Sequence, residues 1–101
     1  MLIFEATTVF KDWLFSLRDV KAKARILARI RSAEHGNLGD CAPVGEGVSE
    51  MRIHYGPGYR VYFKRTGDVV YLLLIGGDKS SQKRDIAAAL KIANELKKGR
   101  K

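Results

Sequence analysis

Two segments of alternating apolar and polar residues, joined by Gly56-Pro57-Gly58, constrain the fold of this chain more than any other feature. Alternation with a period of two predicts a β-strand with one buried face and one open face, and the glycines and proline mark a turn. We therefore predict a β-hairpin formed by residues 49–55 and 59–64. After a second turn at residues 65–68, residues 69–75 are apolar on both faces, which predicts an interior strand.

The register of this hairpin decides which polar side chains meet. A symmetric turn places Tyr55 opposite Tyr59, and every further pair then follows by counting outward. The resulting pairs on the polar face are His54 with Arg60, Arg52 with Tyr62, and Glu50 with Lys64. The other face carries only apolar and aromatic side chains, so we expect helices to cover it and to leave the polar face open.

Helical periodicity precedes the hairpin. A short strand at residues 2–5 leads to an amphipathic helix capped by Thr7 or Thr8, and a second helix begins after Asp19 and ends near residues 34–35. The predicted apolar stripe of the second helix consists of Val20, Ala24, Leu27 and Ile30, with Ile26 at its margin. The two helices form a hairpin, because their connection is short.

A last helix follows the interior strand and is capped by Asp78 or Ser80. Residues 41–47 are expected to form a loop or a frayed edge strand. The element order is therefore βααβββα, an α+β fold in which the helical hairpin and the C-terminal helix pack on one face of a small, mainly antiparallel sheet. Residues 1–101 are expected to form a single domain, and the basic tail at residues 97–101 receives no function.

The charge gives the first indication of function. Nineteen Lys and Arg against eleven Asp and Glu give a net charge of +8, an excess that attracts polyanions. Nucleic acid is the favoured partner, followed by an acidic protein and an anionic membrane, while simple solubility is the alternative. With one cysteine, no signal peptide and no apolar run long enough to span a membrane, the chain is expected to be cytoplasmic and independent of membranes.

A cationic stripe runs along the second helix. It contains the RNA-binding candidates Lys21, Arg25 and Arg29. These residues recur on one side of the helix at its rotation of 100° per residue. The stripe is interpreted as a surface for nucleic acid or for carboxylates of a partner protein, or as an ordinary solvated helix face.

Several chemically useful side chains share the polar face of the predicted sheet. They are Arg52, His54, Arg60, Tyr62 and Lys64. Arginine binds phosphate through a fixed fork of donors, and aromatic rings stack on unpaired bases. Such a set suits RNA cleavage by attack of a 2′-hydroxyl on its own phosphate, which needs a base, an acid and cations to hold the added charge.

Each candidate catalytic residue receives a role from its chemistry. Arg60 and Arg52 are expected to bind the phosphate, His54 or Tyr62 to transfer protons, and Lys79 to act as acid or clamp at the rim. Carboxylates are not clustered in a way that offers a Mg²⁺ site, and the cysteine and histidines lie too far apart in sequence to suggest zinc. We therefore expect chemistry without a metal ion or other cofactor.

Four motifs occur in order along nearly the whole chain. They are GNLGD at 36–40, VGEGVSEMRI at 44–53, GPGYRVYF at 56–63 and LIGGDKSSQ at 74–82. Together they resemble the addiction module killer protein group, which comprises HigB-like members of the RelE/ParE toxin superfamily. The similarity extends to Phe10, Trp13 and Leu14 in the first helix.

The resemblance implies a growth-arresting toxin that cuts mRNA in the ribosomal A site. It also implies an antitoxin of the helix-turn-helix type, whose complex with the toxin binds operator DNA and represses their operon. Arg60 matches a strand arginine that the nucleases of this family use on the scissile phosphate, and Arg52 and Lys79 fall in regions that supply further basic residues. His54 has no secure counterpart in the family, so its role is inferred from its chemistry alone.

Two other functions remain open at this point. A ParE-like toxin shares the fold but inhibits DNA gyrase by binding it, without nuclease chemistry. A non-catalytic module would bind RNA or an antitoxin and have no turnover. The cluster of Arg52, Arg60 and Lys79 with nearby aromatic residues favours the ribosome-dependent endoribonuclease.

Overall fold

A five-stranded β-sheet organises residues 1–98, the part of the chain that the computed structural model describes. The strands are β1 (Ile3–Ala6), β2 (Cys41–Gly45), β3 (Val48–Ile53), β4 (Tyr59–Arg65) and β5 (Val70–Asp78). The helices are α1 (Thr8–Ser16), α2 (Val20–Glu34) and α3 (Gln82–Lys98), with a short 3-10 helix over Lys79–Ser81 before α3. The α+β class and the predicted order of helices and main strands are confirmed. Residues 99–101 of the basic tail lie outside the described residues.

The sheet has the strand order β1-β5-β4-β3-β2, in which β1 runs parallel to β5 and all other neighbours are antiparallel. β5 is an interior strand, as its apolar sequence predicted. β2 is the edge strand that was expected as loop or frayed strand. One β-bulge interrupts the β4–β5 ladder, because Tyr62 pairs with Ile75 and Phe63 pairs with Leu73, which leaves Leu74 as the extra residue.

The β3–β4 register differs from the predicted one by two residues. Ile53, not Tyr55, pairs with Tyr59, so Arg52 opposes Arg60. The predicted register was wrong because the connection is longer than a symmetric glycine-proline turn: the amide of Gly58 donates to the carbonyl of Tyr55 at 3.0 Å, inside a five-residue loop. A shift of two residues preserves the faces of the sheet, since side chains alternate with a period of two.

The same shift places the remaining polar pairs. Glu50 opposes Tyr62, and Lys64 opposes Val48. The expected ion pair between Glu50 and Lys64 is therefore absent from the ladder. His54 lies outside β3, as the first residue of the loop.

The two faces of the sheet carry separate cores. Residues of α1 and α2, among them Phe10, Ile26 and Ile30, pack on one face of β3, β4 and β5. Residues of α3, among them Ala89 and Ala93, pack on the opposite face. We expected all helices on one face and an open polar face, but α3 covers part of the polar face. The polar face carries an apolar patch that α3 can cover. The patch consists of Tyr62 on β4 and of Val48 and Leu74 on the neighbouring strands.

α2 is rotated relative to the predicted apolar stripe. Its buried residues are Ala22, Ile26, Ile30 and Ala33. Val20 and Leu27, which the periodicity placed in the core, are 76% and 50% exposed. Apolar residues occur at helical spacing on both sides of this helix, and the small Ala22 and Ala33 let the backbone approach the sheet closely.

Two consecutive glycines let both helical layers approach the end of β5. A β-carbon at Gly76 would lie 2.2 Å from the indole ring of Trp13 in α1, and one at Gly77 would lie 1.8 Å from Oδ2 of Asp85 in α3. Real atoms do not approach this closely, so a larger residue at either position would force Trp13 or Asp85 to move. This close packing lies near the end of β5, shortly before the chain leaves the sheet at Lys79.

Candidate active site

A shallow cleft of about 410 Å³ opens between the β3–β4 loop and the end of β5. Its walls are formed by His54, Tyr55, Gly56, Pro57, Gly58, Arg60 and Lys79. The structure thus brings together three of the predicted catalytic residues, Arg60, His54 and Lys79, from three different parts of the fold.

Strand pairing brings Lys79 to the start of β4. Asp78 pairs with Tyr59 in the β4–β5 ladder, so the next residue leaves the sheet beside Gly58. Gly58 has a φ of +81°, a conformation that favours glycine, and a β-carbon there would lie 3.5 Å from the β-carbon of Lys79. Asp78 fixes the exit by capping the following turn, where it accepts a hydrogen bond from the amide of Ser80 at 2.8 Å.

Glu50 is the buried centre of the site, with 1% of its surface exposed. Its Oε1 accepts hydrogen bonds from Nε of Arg52 at 3.0 Å and from Nη1 of Arg60 at 2.9 Å. Its Oε2 accepts hydrogen bonds from the hydroxyl of Tyr62 at 3.0 Å and from Nε2 of Gln82 at 2.8 Å. Two donors at each oxygen compensate the cost of burying a charge.

The pKa of Glu50 lies below its ordinary value of 4.5. Burial acts in the opposite direction and would raise this pKa, because a low-dielectric environment disfavours the charged form. The hydrogen bonds from Gln82, Arg52 and Tyr62 and the charge of Arg60 outweigh burial. Glu50 is therefore a carboxylate at neutral pH.

The two arginines of the site face each other across β3 and β4. The side chain of Arg60 is 13% exposed and that of Arg52 is 38% exposed, so Arg60 is the more enclosed of the two. Within residues 1–98, the buried Nε of Arg60 has no hydrogen-bond partner. The hydrogen bond to Glu50 raises the pKa of Arg52, which also lies 3.7 Å from Oδ1 of Asp40.

His54 stands at the mouth of the cleft, with 75% of its side chain exposed. Its Nε2 forms a hydrogen bond of 2.6 Å with Oδ2 of Asp40. This hydrogen bond lowers the pKa of Asp40, with a smaller contribution from the charge of Arg52. A carboxylate that holds one ring nitrogen fixes the orientation of the imidazole, which is a common arrangement for a group that transfers protons.

Tyr62 is fully buried, although the sequence suggested a role in proton transfer or base stacking. Burial raises the pKa of its hydroxyl, and the hydrogen bond to Glu50 raises it further. In this structure Tyr62 presents no surface to a substrate. It contacts the site only through Glu50.

The three predicted RNA-binding residues of α2 have different environments. Lys21 is exposed at the start of the helix. The guanidinium of Arg25 lies 4.6 Å from the ring centre of Tyr55, a cation–π contact at the wall of the cleft. Arg29 donates to the carbonyl oxygen of Arg52 on β3 and to that of Leu38 in the loop before β2.

A groove of about 360 Å³ connects α2 with the site. It is lined by Arg25, Ala28, Arg29, Ser32, Ile53 and His54. His54 also lines the cleft that contains Arg60, so the groove and the cleft meet at this residue. The cationic side of α2 and the candidate active site are therefore adjacent, with His54 between them.

Lys64, the remaining predicted RNA-binding residue, lies away from the cleft. It is four residues beyond Arg60 on β4, a distance of roughly 13 Å along a strand. Its Nζ donates to the carbonyl of Glu46 at 3.4 Å, and it lines a separate cavity with residues of α3. The structure does not bring Lys64 together with His54 or Lys79.

Two supporting residues of the site were missed by the sequence analysis. Asp40 follows a glycine in a loop, and Gln82 is the first residue of α3. Neither position belongs to a periodic pattern, and each meets its partner only through tertiary structure. The one available signal was the motif membership of both residues, in GNLGD and LIGGDKSSQ.

Two further features concern only residues 1–98. In this part of the chain, His, Cys, Asp and Glu side chains do not gather in groups of three or more that would suit a metal ion. Its helices also lack the combination of length and apolar composition that crossing a bilayer requires.

Cys41 is half-buried and donates from its thiol to the carbonyl of Leu38 at 3.1 Å.

The fold and the site define an α+β protein with a cationic cleft built around a buried carboxylate. The chain is 47% identical over 92 residues to an uncharacterized protein of Haemophilus influenzae, a match that covers 91% of this chain and 93% of the relative. It therefore belongs to the same family as that protein. No established family profile matches the chain.

Proposed function

We propose that this protein is the toxin of a type II toxin–antitoxin pair of the RelE/ParE superfamily, and that it inhibits translation by cleaving mRNA on the ribosome. The observation that carries the proposal is the meeting of Arg60, His54 and Lys79 in one open cleft. The resemblance of four ordered motifs to HigB-like toxins and the net charge of +8 support it.

The proposed reaction is a transesterification within the RNA. The 2′-oxygen attacks the adjacent phosphorus, and the bond from phosphorus to the 5′-oxygen of the next nucleotide breaks. The 2′-hydroxyl loses its proton to a base, and the leaving 5′-oxygen receives a proton from an acid. The products are a 2′,3′-cyclic phosphate and a 5′-hydroxyl, and the reaction requires neither an oxidant nor a cofactor.

Arg60 is assigned to the phosphate, because it is the enclosed cation of the cleft and a guanidinium matches phosphate oxygens in geometry and charge. Arg52 adds charge beside it. His54, oriented by Asp40, is the candidate for proton transfer. Lys79, exposed at the rim, acts as acid or as a further clamp on the phosphate.

The groove along α2 is assigned to the RNA that flanks the cleavage position. Arg25 is an accessible cation of this groove, and Tyr55 offers an aromatic ring beside it. Lys21 does not line the groove but is exposed four residues before Arg25 on the same helix. Arg29 contributes positive charge, but its guanidinium is engaged with two carbonyl oxygens. Lys64 contributes to the general cationic field rather than to the cleft.

The proposal includes a cytoplasmic location, the ribosome and mRNA as targets, and a cognate helix-turn-helix antitoxin that links the toxin to operator DNA. Exposed apolar side chains support a protein partner. Phe15 is 79% exposed on α1, and Val20 and Leu27 are exposed on α2, where Lys21 and Lys23 flank them. Such a surface suits an amphipathic segment with acidic residues.

Primer-extension mapping of mRNA ends in a reconstituted translation reaction tests the function. The reaction is run with and without ribosomes, for the wild type, for Arg60→Ala and for Arg65→Ala. Arg65 is the matched control, because it lies on the same strand and its guanidinium, among the described residues, has polar contacts only with the carbonyls of Gly67 and Asp68 and the Asp68 carboxylate. We expect new ends at ribosomal A sites with the wild type and with Arg65→Ala, and a loss of about 100-fold or more with Arg60→Ala.

Intact mRNA in the presence of folded wild-type protein contradicts the nuclease. DNA supercoiling by gyrase is then the activity to assay, since a ParE-like toxin would inhibit it. RNA binding without any turnover, weakened in Arg60→Ala, would instead identify a non-catalytic module.

A further inference from the structure

Arg52 and Arg60 are like charges at directly opposed positions of β3 and β4. Such a pair destabilises a hairpin unless an opposite charge lies between its members. Oε1 of Glu50 provides that charge, within 3.0 Å of one nitrogen of each guanidinium. The three groups together carry a net charge of +1, and Arg60 is the member of the three that lines the cleft.

The carboxylate of Glu50 has two different functions at its two oxygens. Among residues 1–98, Oε1 accepts hydrogen bonds only from the arginines of the site, while Oε2 accepts them only from Tyr62 and Gln82. The second pair is anchored in the structure, since Tyr62 is buried and Gln82 begins α3. The anchored oxygen therefore fixes the carboxylate, and the carboxylate fixes the arginines.

The contacts with Glu50 engage one nitrogen of each guanidinium. Glu50 engages Nε of Arg52 and Nη1 of Arg60, and within residues 1–98 the side chain of Arg60 makes no other hydrogen bond. An arginine has five N–H donors in a rigid plane, so one fixed nitrogen sets the direction of the others. Nε of Arg60 is buried, so the donors that its guanidinium can offer to the cleft are the free N–H groups of its two terminal nitrogens.

Glu50 is unsuited to accept a proton from the substrate. It is 1% exposed, and hydrogen bonds from four side chains occupy both oxygens. A proton acceptor must come within hydrogen-bond reach of the group that it deprotonates. The same hydrogen bonds stabilise the charged form, which makes the carboxylate a weaker base.

We propose that Glu50 is a positioning residue that fixes the guanidinium groups of Arg52 and Arg60 toward the scissile phosphate. This inference rests on the proposed nuclease function and assigns to that reaction a residue that does not touch the substrate. Fixed donors stabilise a transition state without reorganising at the moment of reaction. Glu50 therefore contributes to the rate of cleavage rather than to the binding of RNA.

Glu50→Gln tests the proposal. The amide has nearly the same shape, but its nitrogen cannot accept a hydrogen bond, so two of the four donors lose their acceptor in either orientation. The two arginines also lose the negative charge between them. We expect single-turnover cleavage on programmed ribosomes to slow by about 10- to 100-fold, the usual consequence of misplacing a catalytic group.

Binding is measured separately, with an mRNA that carries a 2′-deoxynucleotide at the cleavage position and cannot react. We expect Glu50→Gln to bind this mRNA on the ribosome as tightly as the wild type or more tightly, since both arginines remain. We also expect the cleavage rate of Glu50→Gln to be lower than that of the wild type at every pH but to depend on pH in the same way. If the variant does not fold, Glu50→Asp replaces it, because the shorter carboxylate cannot reach all four donors.

Two control variants lose one carboxylate elsewhere. Asp85→Asn removes a buried carboxylate of α3 that accepts from Ser81, and Asp68→Asn removes an exposed one beside Arg65. Thermal unfolding of all variants, together with the fraction folded at the assay temperature, separates loss of structure from loss of rate. Both controls are expected to cleave at the wild-type rate per folded molecule.

Several results would overturn the proposal. A wild-type rate in Glu50→Gln, weaker binding without slower cleavage, or an equal loss in Asp85→Asn would each remove Glu50 from this role. A rate in Glu50→Gln that rises in proportion to hydroxide would make Glu50 the general base instead. A wild-type protein that cleaves no mRNA contradicts the proposed function itself, before any variant is compared.

Discussion

Gln82 and Glu50 lie 32 residues apart in sequence, yet Nε2 of Gln82 donates a hydrogen bond to Oε2 of Glu50 at 2.8 Å. This contact joins the first residue of α3 to the buried centre of the site on β3. It lies on the side of the carboxylate that faces away from the arginines. The side chain of Glu50 consequently links the position of α3 to the positions of Arg52 and Arg60.

Removing this contact is expected to weaken the whole fold. Gln82→Ala leaves a buried carboxylate with one donor fewer, and a hydrogen bond to a charged group contributes about 1.5–3 kcal/mol. We predict a decrease of this size in the free energy of unfolding, measured by urea titration. The neighbouring exposed residue supplies the control: Lys83→Ala should leave stability within about 0.5 kcal/mol of the wild type.

Stability is predicted to fall in acid because of Glu50. Its folded pKa is lowered below the ordinary value of 4.5, so its contribution is fully present above that pH and is lost as the pH falls through the folded pKa. The pKa values of Asp40 and Asp78 are lowered from 3.8, which adds to the same trend. Urea unfolding at about pH 7 and about pH 3 measures the loss.

Glu50→Gln is the matched variant for the acid measurement, since glutamine does not titrate. It should be less stable than the wild type at neutral pH and should lose less stability on acidification. An equal loss in both proteins would mean that other carboxylates cause the acid sensitivity.

The close approach of α1 to β5 makes Gly76 intolerant of substitution. The added β-carbon of Gly76→Ala would overlap the ring of Trp13, which lies between Phe10 and Tyr59. Overpacking of this kind costs about 1–3 kcal/mol, or more where the neighbour cannot move. Gly67→Ala is the control, because the nearest atom there is 3.8 Å away. Thermal unfolding should separate the two variants clearly, and equal melting temperatures would contradict the packing described.

The orientation of α2 predicts opposite results at adjacent positions. Ile26 is fully buried and Leu27 is half-exposed. Ile26→Ala should destabilise the fold by about 2–5 kcal/mol, the usual cost of emptying a core position. Leu27→Ala should change stability by no more than about 0.5 kcal/mol. Chemical denaturation of the two variants decides between this orientation and the one that the sequence periodicity suggested, in which Leu27 is the core residue.

The sequence predicted the elements of the fold because each had a local signal. Thr7 accepts from the amide of Phe10 at the start of α1, and Asp19 accepts from the amides of Lys21 and Ala22 at the start of α2, as capping residues do. The interior position of β5 followed from its apolar residues on both faces. These features depend on a few neighbouring residues, which is why they were visible.

Features that depend on contacts between elements were less predictable. The rotation of α2 was missed because two of its sides carry apolar residues, and only packing against the sheet selects Ile26 over Leu27. The hairpin register was missed because the length and conformation of the loop decide which residues pair across the strands. The Gly56-Pro57-Gly58 signal alone does not give them.

The candidate site shows the same division. Arg52, Arg60 and Lys79 were identifiable from residue chemistry, strand alternation and family resemblance. The burial of Tyr62 and the contacts of Glu50 with Gln82 depend on α3 packing over the polar face, which the sequence pattern did not indicate.

The paired glycines at the end of β5 have a mechanical consequence for the cleft. Trp13 on one side and Asp85 on the other pack against the strand at Gly76 and Gly77, three and two residues before Lys79. Because side chains pack closely against both faces of β5 at this point, the backbone of the strand has little room to bend. If the cleft binds RNA as we propose, the parts that adjust are the exposed side chains of His54 and Lys79 and the RNA strand itself, since β5 beside them is packed on both faces.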